Sequence, residues 1–248
     1  MFVDTHLHIN LEDASKIINE ANQQRVSKLI VSGCDKKGII DTLNLSERYE
    51  EVFATIGYHP SEVNKINEDD LTFLETMIKN NKKVIGVGEI GLDYYYGKEN
   101  KEEQINLFET QLKLAEKLNL PVVIHTRDAF QDTYNILKKY HLKGIIHCFN
   151  GSLEVANLYI NLGYCLGIGG VVTFKNSNLP SVIANIPIES IVLETDSPYL
   201  SPEPYRGKPN SPKNIPIIAE KISKIKKIST KDVEKITYNN VIRLFDLK

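Results

Sequence analysis

Residues 2–8, FVDTHLH, run from a short apolar strand pattern straight into two histidines one residue apart. Four later stretches repeat the design. VIGVGEIGLD at 84–93 carries Glu89, PVVIHTR at 121–127 carries His125, GIIHCFNG at 144–151 carries His147, and IVLETDSP at 191–198 carries Asp196. Each places its polar residue at or just past the end of an apolar run. Short apolar runs bounded by Gly, Pro or polar clusters read as buried strands.

Outward from these stretches, strand-like and helical runs alternate to the end of the chain. Helical spacing covers residues 14–22, 37–49, 69–79, 102–118, 128–139, 153–161, 179–184 and 215–227, each after a strand-like run. The pattern predicts an α/β fold: a TIM (β/α)8 barrel with an additional C-terminal helix over 230–244, packed on the outside. Pro121 opens its strand, where a missing N–H does little harm. Ser152 with Glu154 forms a helix N-terminal signature.

Composition fits one barrel. The 248 residues are 42% hydrophobic and 25% charged, with a net charge of −2, enough for one large core in a single domain over 1–248. No apolar run approaches the length of a membrane span, and the start lacks the basic-then-apolar pattern of a secretory signal. The near-neutral balance excludes a global pull toward nucleic acid, so any polyanion must meet a local patch. Cys34, Cys148 and Cys165 lie in or beside apolar runs and read as reduced core thiols of a cytoplasmic protein.

Barrel active sites lie at the C-terminal ends of the strands, and His6, His8, Glu89, His125, His147 and Asp196 all take that placement. Positions two apart in a strand face the same side, so His6 and His8 can reach one ion. Glu89 can bridge two cations through its two oxygens. The expected partition puts His6, His8, Asp196 and Glu89 around one divalent ion, and Glu89, His125 and His147 around a second. Asp196 is expected beside the first strand once the barrel closes. Imidazole-rich donors favour zinc or another transition ion by affinity.

The motifs DTHLH, GYHP, GEIGLDYY, VVIHTRDA, HCFNG and ETDSPYL, with the RGKPNSP loop, resemble the TatD family of metal-dependent deoxyribonucleases. The resemblance covers nearly the whole chain and keeps motif order. It implies a two-metal hydrolase of the wider amidohydrolase-like group, nuclease activity on DNA, and function with magnesium or manganese as well as zinc. It carries the family's metal ligands onto the same six residues. Two departures are Asn150, where Ser or Thr is usual, and Ser211, where an acidic residue is common; neither is a ligand.

The reaction expected is metal-assisted hydrolysis of an ester bond. A hydroxide bridging the two ions attacks phosphorus, with Asp196 and Glu89 as the catalytic carboxylates. The expected substrate is DNA, single-stranded or at 3′ ends, cut in 3′–5′ exonuclease fashion, with no membrane and no obligate protein partner. His59 reads either as a phosphate contact or as a loop histidine before Pro60. Arg127 and Arg206 sit on loops where a guanidinium can grip phosphate. Lys208 reads as an ordinary solvated charge and His141 as a residue of the opposite end. Tyr94, Tyr95 and Tyr96 read mainly as packing residues, with base stacking the lesser reading. Cys148 is expected to point away from His147 within a strand. The lysines of 221–227 read as a solvated helix face.

The same cage could hydrolyse a small ester, amide or lactone, or aminoacyl-tRNA, because fold and metals do not fix substrate. Glu89, where many of the wider group carry a carbamylated lysine, favours the nuclease branch. A non-catalytic binding protein would have lost ligands, and none is missing.

Overall fold

The structure, a computed structural model, describes residues 1–247. Eight parallel strands form one sheet in sequence order. They are β1 (Phe2–Leu7), β2 (Val26–Gly33), β3 (Val52–Ile56), β4 (Val84–Asp93), β5 (Val122–Arg127), β6 (Gly144–Ile146), β7 (Tyr164–Ile168) and β8 (Ile191–Leu193). The helices between them are α1 (Ala14–Gln23), α2 (Lys36–Arg48), α3 (Glu68–Asn80), α4 (Lys101–Leu118), α5 (Phe130–Leu137), α6 (Leu153–Asn161) and α7 (Leu179–Asn185), followed by α8 (Ile215–Lys226) and α9 (Thr230–Phe245). This is the expected TIM barrel.

Local chemistry sets the helix starts. Asp35 accepts the Gly38 N–H at 2.6 Å, and Ser152 accepts that of Val155. Asn67 and Asp70 exchange backbone hydrogen bonds as a full capping box. A large apolar layer joins strands to helices, with Leu29, Val31, Ile56 and Leu92 among residues such as Ile39, Leu74 and Phe108.

The inside of the barrel has its own floor. Val3, Ile30, Ile85, Val123, Ile145, Cys165 and Val192, from seven strands, cluster with Val241, Phe245 and Leu247. Val123 and Ile145 lie two residues before His125 and His147, so they share the inward face. Here the sequence reading needs correction. The last helix does not simply pack outside: α9 seals the N-terminal mouth of the barrel. The amino terminus of Met1 and the Arg25 guanidinium both pair with Glu234 of this helix.

Two polar residues sit elsewhere than expected along their strands. Glu89 does not end β4, which continues to Asp93. The register with β5 shifts between Val87 and Ile90. Asp196 lies three residues beyond β8, with a left-handed φ of 53°. The seam between first and last strands is held by a few bonds. The Asp196 N–H donates to the His6 carbonyl at 2.9 Å, and the His8 N–H to the Ser197 carbonyl at 2.8 Å. Asp196 thus lies beside the first strand, as expected. Among the described residues, no helix is long and apolar enough to cross a membrane.

Candidate metal centre

Glu89 is the hub of the strand C-terminal ends. Its Oε2 lies 3.4 Å from His6 Nε2 and 3.9 Å from His8 Nε2. Its Oε1 lies 2.7 Å from His125 Nδ1 and 2.9 Å from His147 Nε2. Asp196 Oδ1 faces the first pair, 3.7 Å from His6 Nε2 and 3.9 Å from His8 Nε2. The structure therefore brings all six expected residues together. The two oxygens of Glu89 face different histidine pairs, and His6, His147 and Asp196 also form a group of donors within 4.8 Å of one another.

The donor atoms suit cations. The His8 Nδ1 lies 3.1 Å from the Ser32 carbonyl, which can only accept, so Nδ1 carries the proton. In the neutral ring, Nε2 then presents a lone pair toward two carboxylates. The His6 Nδ1 pairs with the Ser32 hydroxyl at 3.0 Å. Its Nε2 is buried without a hydrogen-bond partner among the described residues. Lone pairs converging on lone pairs are what a cation would relieve. His6, His8 and Glu89 form one such group, Glu89, His125 and His147 another, each within 4.8 Å. The residues present fit divalent ions.

The electrostatics follow from burial and crowding. Burial, reinforced by neighbouring His147, pushes His6 down to about 3. Burial alone would raise Glu89, but His147, His6 and the hydrogen bond from His125 hold it well below the usual carboxylate range. Burial would lower His147, yet Glu89 and Glu194 outweigh it and hold that ring well above its ordinary value. His125 is raised too, because Asp93 and Glu89 overcome its burial. Burial pushes Asp196 up to about 6, with His147 opposing and Glu89 adding.

Several partners escaped the sequence reading. Asp93 Oδ2 lies 3.0 Å from His125 Nε2, fixing that ring so that Nδ1 faces Glu89. Glu194 is fully buried, accepts the Cys148 N–H at 2.5 Å and stands 3.6 Å from His147 Nδ1. Asp4, also fully buried, accepts from the Thr195 N–H and hydroxyl beside the Asp196 turn. A signal existed for two of these. For Asp93 it was strand alternation from Glu89, and for Glu194 its place directly after the apolar run IVL.

The cysteines also differ from expectation. Cys165 is a core thiol, but Cys34 points its Sγ at Glu89 Oε2, 3.5 Å away. Cys148 is not in a strand, since β6 stops at Ile146 and Cys148 takes a φ of 48°.

His59 is the loop histidine expected before Pro60, its Nδ1 capping the following turn through Ser61, and its Nε2 lies 3.8 Å from Glu89 Oε1. Burial pushes it down to about 4. Arg127 stacks its guanidinium 3.5 Å above the Tyr95 ring, and Arg206 lies 4.3 Å above Phe174. Tyr94 is buried and bonds Asp132, whereas Tyr95 and Tyr96 are exposed. His141 is exposed just before β6, at the opposite end, and Lys208 is exposed. Lys224 pairs with Glu220 on the surface of α8, as a solvated face should.

Comparison with known proteins agrees with this geometry. A family model for TatD-related DNases matches residues 3–246. The chain is 38% identical over 253 residues to an uncharacterized metal-dependent hydrolase, YabD of Bacillus subtilis (strain 168), covering 99% of each. It is 32% identical over 254 residues to another, YjjV of Escherichia coli (strain K12), covering 99% of this chain and 98% of that one. The crystal structure of YjjV, a TatD homolog, matches with a TM-score of 0.95 at 31% identity, over 100% of this chain and 98% of that one. A TatD-family hydrolase from Entamoeba histolytica matches with a TM-score of 0.86 at 27% identity, over 98% and 97%. The fold, the converging donors and these full-length matches make this chain a member of the TatD family of metal-dependent hydrolases.

Proposed function

We propose that the chain is a deoxyribonuclease that hydrolyses phosphodiester bonds at the 3′ end of single-stranded DNA with two divalent ions. The observation that carries this reading is the split of Glu89, one oxygen toward each histidine pair. His6, His8, Asp196 and Glu89 would hold one ion, and Glu89, His125 and His147 the other. When bound, such ions supply Lewis acidity toward the phosphoryl oxygens and lower the pKa of water.

The chain's own residues do the rest. Water attacks phosphorus in line, forming one P–O bond while the bond to the leaving oxygen breaks. Asp196 takes the proton that the water loses. Glu89 holds the two donor sets in fixed register. His59 on the β3 loop and Arg127 at the end of β5, a strand residue and not the loop residue expected, can each receive a phosphate oxygen. Arg206 on the β8 loop offers the same from across the mouth.

The test is hydrolysis of end-labelled single-stranded DNA with EDTA, Mg²⁺, Mn²⁺ or Zn²⁺, beside His125→Ala and Asp196→Asn. Metal-dependent shortening from the 3′ end, lost in both variants while their thermal unfolding is retained, supports the reading. Intact DNA under every metal, with cleavage of a small ester, a lactone or aminoacyl-tRNA, moves the cage to that substrate class.

A further inference from the structure

The β4–α4 loop carries a feature that the metal centre does not use. Tyr96 is 86% exposed and Tyr95 is 55% exposed. Large aromatic rings left open beside a charged site are unusual unless something covers them. The two rings meet edge to face, 4.8 Å apart at 87°. Arg127 covers Tyr95 at 3.5 Å and reaches within 5.8 Å of Tyr96. Among the described residues its guanidinium has no carboxylate partner. The group therefore offers an open π face and a guanidinium side by side, the guanidinium's charge also acting on the Asp93 carboxylate.

The group is also tied to the metal centre. One carboxylate, Asp93, accepts the Tyr95 N–H at 2.9 Å through Oδ1 and faces His125 Nε2 at 3.0 Å through Oδ2. The ring pair is thus held in register with His125, and through it with Glu89. Below it, Tyr94 is buried and anchored to Asp132, so the loop has a fixed base.

We infer that Tyr96, buttressed by Tyr95 and Arg127, is a stacking subsite for an unpaired nucleobase next to the phosphate held at the metal centre. The inference rests on the nuclease reading and names what that site holds beyond the phosphate. Stacking tolerates every base, because each has a π face, and the neighbouring guanidinium serves the backbone. A duplex, whose bases are covered, would be refused.

The chain has no tryptophan, which gives a clean probe. Tyr96→Trp places one indole at the subsite. Metal-free protein is titrated with oligo-dT and with an abasic oligodeoxyribose phosphate of equal length. Quenching of the indole by oligo-dT and not by the abasic chain is the expected result. In parallel, binding of both chains to wild type and Tyr96→Ala is measured by anisotropy. The alanine variant is expected to weaken oligo-dT about 5- to 100-fold and bring the two chains close to equal. Equal binding of both chains to wild type, or an unchanged preference in Tyr96→Ala, overturns the subsite. Because Tyr96 is so exposed, both variants are expected to fold, and thermal unfolding checks this. The two readings separate cleanly. DNA cut normally while oligo-dT and the abasic chain bind wild type equally sinks the subsite alone. Base-dependent quenching without any cleavage sinks the nuclease reading and leaves a site that binds bases.

Discussion

Asp93 and His125 face each other at 3.0 Å, with the carboxylate on Nε2 and the opposite nitrogen turned to Glu89. Burial would raise the Asp93 carboxyl, but the His125 ring and the Tyr95 N–H hold it below its ordinary value. A carboxylate behind a metal-bound imidazole fixes the ring and strengthens it as a donor. Asp93→Asn should therefore keep the fold and weaken metal binding about 10- to 100-fold. Calorimetric titration with Zn²⁺ or Mn²⁺ checks this; unchanged affinity would mean that Asp93 serves only the loop.

Metal binding should release protons. In the metal-free protein Glu89, with Glu194 for His147 and Asp93 for His125, holds both rings above their ordinary values and so favours their protonated forms. A cation must displace those protons. Apparent affinity should fall with falling pH, about tenfold per unit for each proton displaced. Below about pH 6, protonation of Asp196 adds to the loss. Titration in buffers of different ionisation enthalpy reads the proton count, and net uptake would contradict the assignment.

Gly167 keeps room for Glu194. A Cβ built at Gly167 would run into the buried Glu194 carboxylate. Gly167→Ala should cost about 1–3 kcal/mol, as overpacking does. Metal affinity should drop with it, because Glu194 stands behind His147. Urea unfolding and a metal titration of the same sample would show the two losses together.

Gln111 on α4 clamps the β3 loop from within. Its Oε1 accepts the Tyr58 N–H at 2.7 Å, and its Nε2 donates to the Tyr58 carbonyl at 3.0 Å. Both partners are buried, so Gln111→Leu leaves a peptide group unpaired. The expected cost is about 1–3 kcal/mol in chemical denaturation. Because His59 is the next residue, activity on a phosphodiester should fall beyond what stability explains.

Much of the fold was legible because periodicity and punctuation agreed. VIGVGEIGLD is β4 to the residue, and Leu153–Asn161 is α6 to the residue. The six converging residues were legible because each ends or interrupts an apolar run. What escaped depends on contacts between distant parts of the chain. Nothing local tells that Gln111 reaches Tyr58. Nothing local tells that Phe245 of α9 joins Ile85 and Val123 in one apolar cluster. Cys34 reads as a core thiol because its neighbours are apolar, and only the approach of β4 brings Glu89 to it. Cys148 escaped because β6 stops early and the turn after it is left-handed, which the apolar run conceals.

The seam of the barrel has a consequence for synthesis. His6 belongs to the first strand of the barrel, and Asp196 follows 190 positions later. The bond between them both closes the sheet and completes the first donor set. A nascent chain shorter than that cannot own a working centre, however well its early strands pair. Hydrolytic competence therefore arrives in one step, with closure itself, and no half-made barrel is armed.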